Sequence, residues 1–397
     1  MKIAVIGAKG LPPKQGGIEH YCAEVYPRMV ARGHEVDLFS RSSYTDYTWL
    51  TKYDFQGVRV ISLPSWKLRG IDAFITSAQG ALATNLKKYD VVHFHALGPS
   101  LFSFLPRIVN STKVVVTCHG LDWQRAKWGN FSSQLLKMGE KTAVNFAHEL
   151  TVVSDALKNY FLQTYNRDVV YIPNAPVTYG KSDSKFAYTN SLGLQQGRYM
   201  LFLGRLVPEK RPELLIEAFS ALKPLGWKLV IAGGVSNTKS FTSELLERIA
   251  NDRDIIFAGE LRGSRLWEIV RGAGLFVLPS DIEGLPLAML EAMQEGIPII
   301  ASDIPPHRQL IGDERGILFE AGNIDSFIAS LERATNNSSE MNFLASKAQQ
   351  YVKQNYSWDL ITSQYLHLYS KTLNAPDSSA ILQSSFEKLE QMYLKNR

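Results

Sequence analysis

Glu283 and Glu291 stand either side of seven residues in the stretch SDIEGLPLAMLEAMQEGIPIIAS, which runs from Ser280 to Ser302. Pro286 suits a first helical position, because the N–H it lacks would have no partner there. Gly296 with Pro298 behind it suits a stop. The spacing predicts a helix from Pro286 to Glu295 whose first amides, around Leu287 and Ala288, form an anion site at its positive end. Glu283, followed by Gly284, precedes that end in a loop just past the apolar run LFVLPS. Glu291 lies ~12 Å farther along at 1.5 Å per residue. The two acids therefore have separate tasks: one near the reacting end of an anion, one near a hydroxyl-bearing end such as a ribose. The plainer alternative is an acid that stabilises the helix dipole and a second that faces solvent.

A second constellation lies in LFLGRLVPEKRPELLIEAF, where a strand ends at Gly204 and a helix begins near Pro212. Arg205 and Lys210 fall in the turn between them, and two cations at a strand's carboxyl end are what a diphosphate needs. The third stretch, GAKGLPPKQGGIEHY, puts a long turn after the first strand and opens a helix with Gly16 and Gly17, where a backbone can approach a phosphate closely. It is a poor dinucleotide fingerprint. Gly7-Ala8-Lys9-Gly10 lacks the third glycine, Pro12-Pro13 interrupts the helix start, and LFSRSSY lacks the ribose-binding acid. His93 and His95 in VVHFHALGP are read as pointing to opposite faces of a strand, which argues against a shared metal.

The elements that must position these residues alternate twice over. Apolar strand runs appear at KIAVIG, EVDLFS, VRVISL, DVVHFH, KVVVTCH and ELTVVS, then at YMLFLG, KLVIAG, DIIFAG, GLFVLP, IPIIAS and RGILFE, with helical patterns between. Strands apolar throughout are what buried parallel sheets require, and two such series predict two doubly wound α/β domains. The polar segment KSDSKFAYTNSLGLQQG reads as the linker, and NAPDSSA as a second one. Beyond it Ile381, Leu382, Phe386, Leu389, Met392 and Tyr393 trace one face of a tail helix.

The chain's 397 residues, 45% hydrophobic and 20% charged, support a large core and exclude a disordered polymer. Cys22 and Cys118 have no CxxC or His-rich neighbourhood, so neither a disulfide framework nor a zinc site is expected. No apolar run approaches ~18 residues, so no membrane span is expected, nor a signal peptide at MKIAVIG. The net charge of +5 is concentrated in the first 180 residues, which suits an anionic ligand or an anionic membrane surface. Aromatic and basic residues interleave in DWQRAKWGNFSSQLLKMGEK, a composition that fits a lipid headgroup surface or a carbohydrate platform.

In their order and spacing, the Glu-seven-Glu element, the GRL…K turn and the glycine-rich turn resemble the retaining GT-B glycosyltransferases of family four, over about residues 1–370. GGIEHY and HGLDWQRAKWG look like the members that build bacterial surface polysaccharides. The resemblance implies two Rossmann-like domains facing a central cleft: an acceptor-binding domain over 1–180, a nucleotide-sugar domain over 181–355, and helices over 356–397 that cross back to the first domain and end in the tail helix. It implies that Arg205 and Lys210 hold the donor diphosphate with backbone N–H groups at Gly17 and Leu287, and that Glu291 takes the ribose hydroxyls. Glu283 and His119 would sit by the transferred sugar, and Leu261 by the nucleobase. His95, Asp122 and Asn174 would face the acceptor side.

The family transfers a hexose of glucosyl, mannosyl or rhamnosyl type with retention, the leaving phosphate taking the acceptor proton. No D-x-D stands at a strand end, so cations and amides are expected to replace a metal, with no cofactor beyond the nucleotide sugar. A saccharide or lipid-linked acceptor is expected, with no nucleic-acid partner. The expected location is cytoplasmic, with possible peripheral contact at the inner face of the membrane. The competing readings are a sugar-nucleotide 2-epimerase, a phosphorylase carrying pyridoxal phosphate on a lysine, and a non-catalytic nucleotide-sugar-binding protein.

Overall fold

The computed structural model describes residues 1–14, 16–66, 71–109, 112–124, 130–234, 239–250, 252–312 and 314–375. The expected tail helix beyond Ala380, and Arg125, Lys127 and Trp128 of the aromatic–basic stretch, lie outside these. The chain divides into two compact units, Met1–Asn174 with Trp358–Arg397, and Ala175–Ser357. Among the described residues no helix is long and apolar enough to cross a membrane.

The first unit is built on eight strands: β1 (Lys2–Ile6), β2 (Glu35–Arg41), β3 (Lys52–Phe55), β4 (Val58–Leu63), β5 (Val91–His95), β6 (Lys113–Cys118), β7 (Glu149–Val152) and β8 (Val170–Tyr171). They lie in the order β3-β4-β2-β1-β5-β6-β7-β8. Every pair is parallel except β3 with β4. Ile3, Ala4, Val5, Val91, Val92 and Val114–Val116 are fully buried, as a parallel sheet covered on both faces demands. Burying each such Val or Ile contributes roughly 1.5–3 kcal/mol. β3 departs from the expected strand list. Its KYDF residues are alternately exposed and half-buried on an antiparallel edge, and Gln56 and Gly57 turn the chain there with φ of 51° and 85°. A two-sided apolar pattern does not detect such an edge strand.

Chain order reverses between β1 and β5. From β1 the sheet grows one way through β2 and β4, and from β5 the other way through β6 and β7. Such a switch point opens a crevice at the strands' carboxyl ends. The loop after β1 and His95 at the end of β5 flank it. The last helix, Trp358–Asn374, buries Trp358, Ile361, Tyr365, Leu368 and Tyr369 on one face. Tyr21, on the helix Gly17–Ala31, meets Trp358 and Tyr365 edge-on at 5.8 and 5.9 Å between centroids.

The second unit carries β9 (Tyr199–Leu203), β10 (Lys228–Ala232), β11 (Ile255–Gly259), β12 (Leu275–Leu278), β13 (Ile299–Ser302) and β14 (Ile317–Phe319), all parallel. These are the six strands expected of the second series. Their order β11-β10-β9-β12-β13-β14 places the switch point between β9 and β12. The turn with Arg205 and Lys210 leaves β9, and the loop with Glu283 leaves β12. Two stretches 73 residues apart in sequence thus meet at one crevice.

Candidate functional site

In the second unit, Lys210 Nζ donates to Glu283 Oε1 at 2.5 Å. Ser280 Oγ donates to the same oxygen at 2.8 Å. The two charged side chains are 16% and 9% exposed. Burial alone would raise the Glu283 carboxyl, yet the Lys210 ammonium and the two hydrogen bonds hold it below its ordinary value. The turn and the loop are clipped together beside this pair. Asp281 N–H donates to the Glu209 carbonyl at 2.9 Å, and Arg211 Nη1 reaches Asp281 Oδ2 at 3.2 Å. Arg205, on the same turn, is exposed, and its carbonyl accepts from Val207 N–H at 3.0 Å.

The helix after the loop runs Leu287–Gln294. Pro286, expected as its first residue, is instead its N-cap, with φ −78° and ψ 94°, and Glu295 is its C-cap. The ψ of 94° is extended, so Pro286 serves through its carbonyl, which accepts from Met289 and Leu290 at 3.1 and 3.2 Å. The Leu287 and Ala288 amides precede these first intrahelical bonds. Gly296 takes φ 75° and ends the helix as its sequence suggested. Gly284 lies in the bend between Glu283 and the helix, and Leu261 is half-buried just past β11.

Glu291 occupies a separate place. Its Oε2 accepts from Tyr179 OH at 2.8 Å, and Tyr179 stacks on Trp267. Burial pushes the Glu291 carboxyl up to about 7, against the opposing hydrogen bonds of Tyr179 and the Val177 amide. The acids of the Glu-seven-Glu element are therefore tuned in opposite directions. Asp252-Arg253-Asp254 is a D-x-D, but it precedes β11 at the amino end of that strand, where Asp254 N–H donates to Asp252 Oδ1 at 2.9 Å.

Sequence reasoning missed the residues that support this pair. His307, in IPPHRQL, is fully buried, and its Nδ1 lies 2.8 Å from the Ser302 carbonyl. Ser302 Oγ in turn donates to the Ser280 carbonyl at 2.5 Å. Burial pushes the His307 imidazole down to about 4. Gly233, after β10, is required by close packing, since a Cβ there would stand 1.7 Å from the Gly204 carbonyl oxygen.

In the first unit, Gly16 is the N-cap of the helix Gly17–Ala31, with φ 95°. Glu19, another residue missed, is buried and accepts from Lys9 N–H at 2.8 Å, pinning the glycine-rich turn to the helix start. A Cβ at Gly16 would lie 2.3 Å from Glu19 Oε2.

The two histidines of β5 overturn the expectation of opposite faces. Residues two apart in a strand share a face, and the His93 and His95 rings lie 4.2 Å apart. Tyr26 OH lies 3.0 Å from His93 Nδ1 and 2.6 Å from His95 Nε2. His95 Nδ1 is 3.0 Å from Nε2 of His119, which is half-buried just after β6. Burial pushes His93 down to about 3 and His95 well below its ordinary value, so both rings are neutral. Among the described residues no group of three metal-ligating side chains comes together.

Asp122 opens a short 3-10 turn, Asp122–Gln124. The neighbouring Trp123 Nε1 donates to the buried Glu140 carboxylate at 2.8 Å, which also accepts from Tyr160 and Tyr165 at 2.7 and 2.5 Å. Asn174 is the last residue before the second unit; it is buried, and its Oδ1 has no hydrogen-bond partner among the described residues.

Two family descriptions match the chain: Glycosyltransferase Family 4 over residues 15–176, and Glycosyl transferases group 1 over residues 185–355. An uncharacterized glycosyltransferase of Methanocaldococcus jannaschii is 26% identical over 386 residues, spanning 93% of this chain and 98% of that one. Among solved structures, the sucrose-phosphate synthase of Thermosynechococcus elongatus superposes with a TM-score of 0.81 at 20% identity, over 94% of this chain and 100% of its own. Anabaena HepE in complex with UDP-glucose superposes with a TM-score of 0.76 at 18% identity, again over 94% and 100%.

Proposed function

Since this chain is a glycosyltransferase of the GT-B fold, we propose that it moves a hexose from a nucleotide-diphosphate sugar to a hydroxyl of a saccharide or lipid-linked acceptor, with retention and without a metal ion, in the synthesis of a glycan or glycolipid. The observation that carries this reading is the Lys210–Glu283 pair, 2.5 Å long, beside the first amides of the helix Leu287–Gln294. The bound UDP-glucose of the similar Anabaena protein supports a sugar nucleotide as the donor.

A departing nucleoside diphosphate gains negative charge in the transition state, and groups fixed in advance stabilise it without reorganising. Lys210 is fixed by Glu283, the helix amides by Pro286, and Arg205 adds a guanidinium on the same turn. Glu291 accepts the ribose hydroxyls, and Leu261 borders the base. Glu283 has its charge satisfied by Lys210 and Ser280, which makes it an orienting group and a poor nucleophile. The proton of the acceptor then leaves with the diphosphate oxygen. His119, in the first unit, is assigned to the transferred sugar.

The test is a panel of UDP-, GDP- and dTDP-hexoses, each with and without saccharide acceptors, followed by NMR of the products. Transfer giving the anomer of the donor supports the reading. Inversion, or conversion of the donor to its 2-epimer without acceptor, overturns it.

A further inference from the structure

The reaction just proposed uses His119 but not the buried polar groups behind it. They form a continuous line. Tyr369 OH lies 2.6 Å from His93 Nδ1, and Thr117 Oγ1 lies 2.6 Å from His93 Nε2. Thr117 Oγ1 continues to Thr151 Oγ1 at 2.6 Å and to Tyr365 OH at 3.1 Å. From His93 the line passes through Tyr26 OH to His95 Nε2, and from His95 Nδ1 to His119 Nε2. His93, His95, Thr117, Thr151, Tyr26, Tyr365 and Tyr369 are all wholly buried. Such a polar line in a core is costly unless every donor finds an acceptor.

Hydrogen counting gives the line a direction. His93 Nδ1, if it accepts, has one lone pair, and two hydroxyls converge on it. Tyr369 at 2.6 Å is the closer, against 3.0 Å for Tyr26. Tyr26 also neighbours the Tyr369 hydroxyl, but its contact with His95 Nε2, at 2.6 Å, is shorter than the usual range for an N–H donor, which assigns the Tyr26 proton to that ring. A neutral His95 that accepts at Nε2 must carry its hydrogen on Nδ1. That hydrogen points at His119 Nε2, 3.0 Å away, so a neutral His119 carries its own hydrogen on Nδ1. The opposite polarity would turn the Tyr26 hydrogen toward His93 or the Tyr369 hydroxyl, make the 2.6 Å contact an N–H donation from His95, and reverse both rings.

We propose that Tyr26 and His95, backed by His93 and by Tyr369 of the last helix, are positioning residues that fix His119 as the tautomer with its hydrogen on Nδ1. Resting on the assignment of His119 to the transferred sugar, this makes His119 a hydrogen-bond donor to a sugar oxygen, not a general base. It fits a transfer in which the departing phosphate takes the acceptor proton. It also gives the return of the chain at Trp358 to the first unit a purpose beyond packing, because Tyr365 and Tyr369 help to satisfy the buried line.

The test reads the tautomer directly. Side-chain 15N NMR of the full chain, with His119 assigned by comparison with His119→Gln, is expected to show a protonated Nδ1 and an unprotonated Nε2. The Tyr26→Phe variant keeps the ring and deletes the hydroxyl. It should populate both tautomers at His119 and lower kcat on the order of tenfold or more, as a wrongly oriented functional histidine does, with KM for the sugar nucleotide little changed. A wild-type spectrum with the hydrogen on Nε2, or a single unchanged tautomer in Tyr26→Phe, overturns the proposal. If Tyr26→Phe does not fold, the wild-type spectrum alone decides. If the tautomers behave as stated while His119→Gln turns over normally, the relay stands, and what fails is the assignment of His119 to the sugar.

Discussion

Lys210 and Glu283 meet at 2.5 Å although 73 residues separate them in the chain. The contact exists because the strands that deliver them, Tyr199–Leu203 and Leu275–Leu278, are neighbours at a switch point. If the ammonium serves the leaving diphosphate, Lys210→Ala should lower kcat by on the order of 10²–10³. Glu283→Gln should lower kcat as well, since the half-buried ammonium loses the group that orients it. The double variant should be less impaired than the product of the two single effects, because residues in contact are not additive. Steady-state kinetics of the four proteins decide this. Independent effects would show that the pair does not act as a unit.

Arg205 is an exposed residue on the same turn as Lys210. A charge that meets growing negative charge acts on the transition state more than on the bound substrate. Arg205→Ala is therefore expected to reduce kcat by on the order of 10², with the larger effect in kcat and the smaller in KM. Normal turnover by this variant removes Arg205 from the mechanism.

The second sheet was legible because its strands are apolar on both faces, and LFLG, VIAG and FVLP each announce a strand and its end. The turn cations and the helix after Glu283 were legible for a similar local reason. Partners brought together by topology were not. Nothing near Ser280 names His307 or Ser302, and nothing near Glu291 names Tyr179, 112 residues away. Glu19 was in view within GGIEHY, yet its contact with the Lys9 amide depends on how the glycine-rich turn folds back. The histidines of VVHFH failed for another reason. The period of a strand is two, so His93 and His95 were always on one face.

Gly233 offers a test of packing free of catalytic interpretation. A methyl group there would overlap the Gly204 carbonyl oxygen at 1.7 Å, and both sides of that contact are backbone. No rotamer relieves it. Gly233→Ala should destabilise by about 1–3 kcal/mol or more, the usual cost of overpacking, seen as a lowered Tm. An unchanged Tm would mean that the strand ends of the second sheet are looser than the distances imply.

Positive charge already fixed at the site is the reason to expect no dependence on a divalent ion. A strong chelator should leave kcat within about twofold of its untreated value, since Lys210, Arg205 and the Leu287 and Ala288 amides remain in place. Loss of turnover that is restored by added Mg²⁺ or Mn²⁺ would show that a metal carries the leaving group.

With Glu291 in its proposed role at the ribose, function and stability pull against each other. Its carboxyl is raised from an ordinary 4.5 to about 7 in the folded chain. Below pH 4.5 both folded and unfolded states hold the proton, and the group contributes nothing to the pH dependence. Between 4.5 and 7 the unfolded chain has released a proton that the folded chain keeps, so the folded state loses stability as pH rises through that window. Above 7 the loss is complete and level. Glu291→Gln keeps an acceptor for Tyr179 OH and removes the charge. Its Tm should match the wild type near pH 4.5 and exceed it near pH 8. The ionised form is the better acceptor for ribose hydroxyls, so wild-type affinity for a nucleoside diphosphate should rise as pH passes through 7, while Glu291→Gln binds weakly throughout. Thermal melts with and without UDP at both pH values test the two halves together. A variant no more stable than wild type at pH 8 would mean that the raised carboxyl is not where the proton is held.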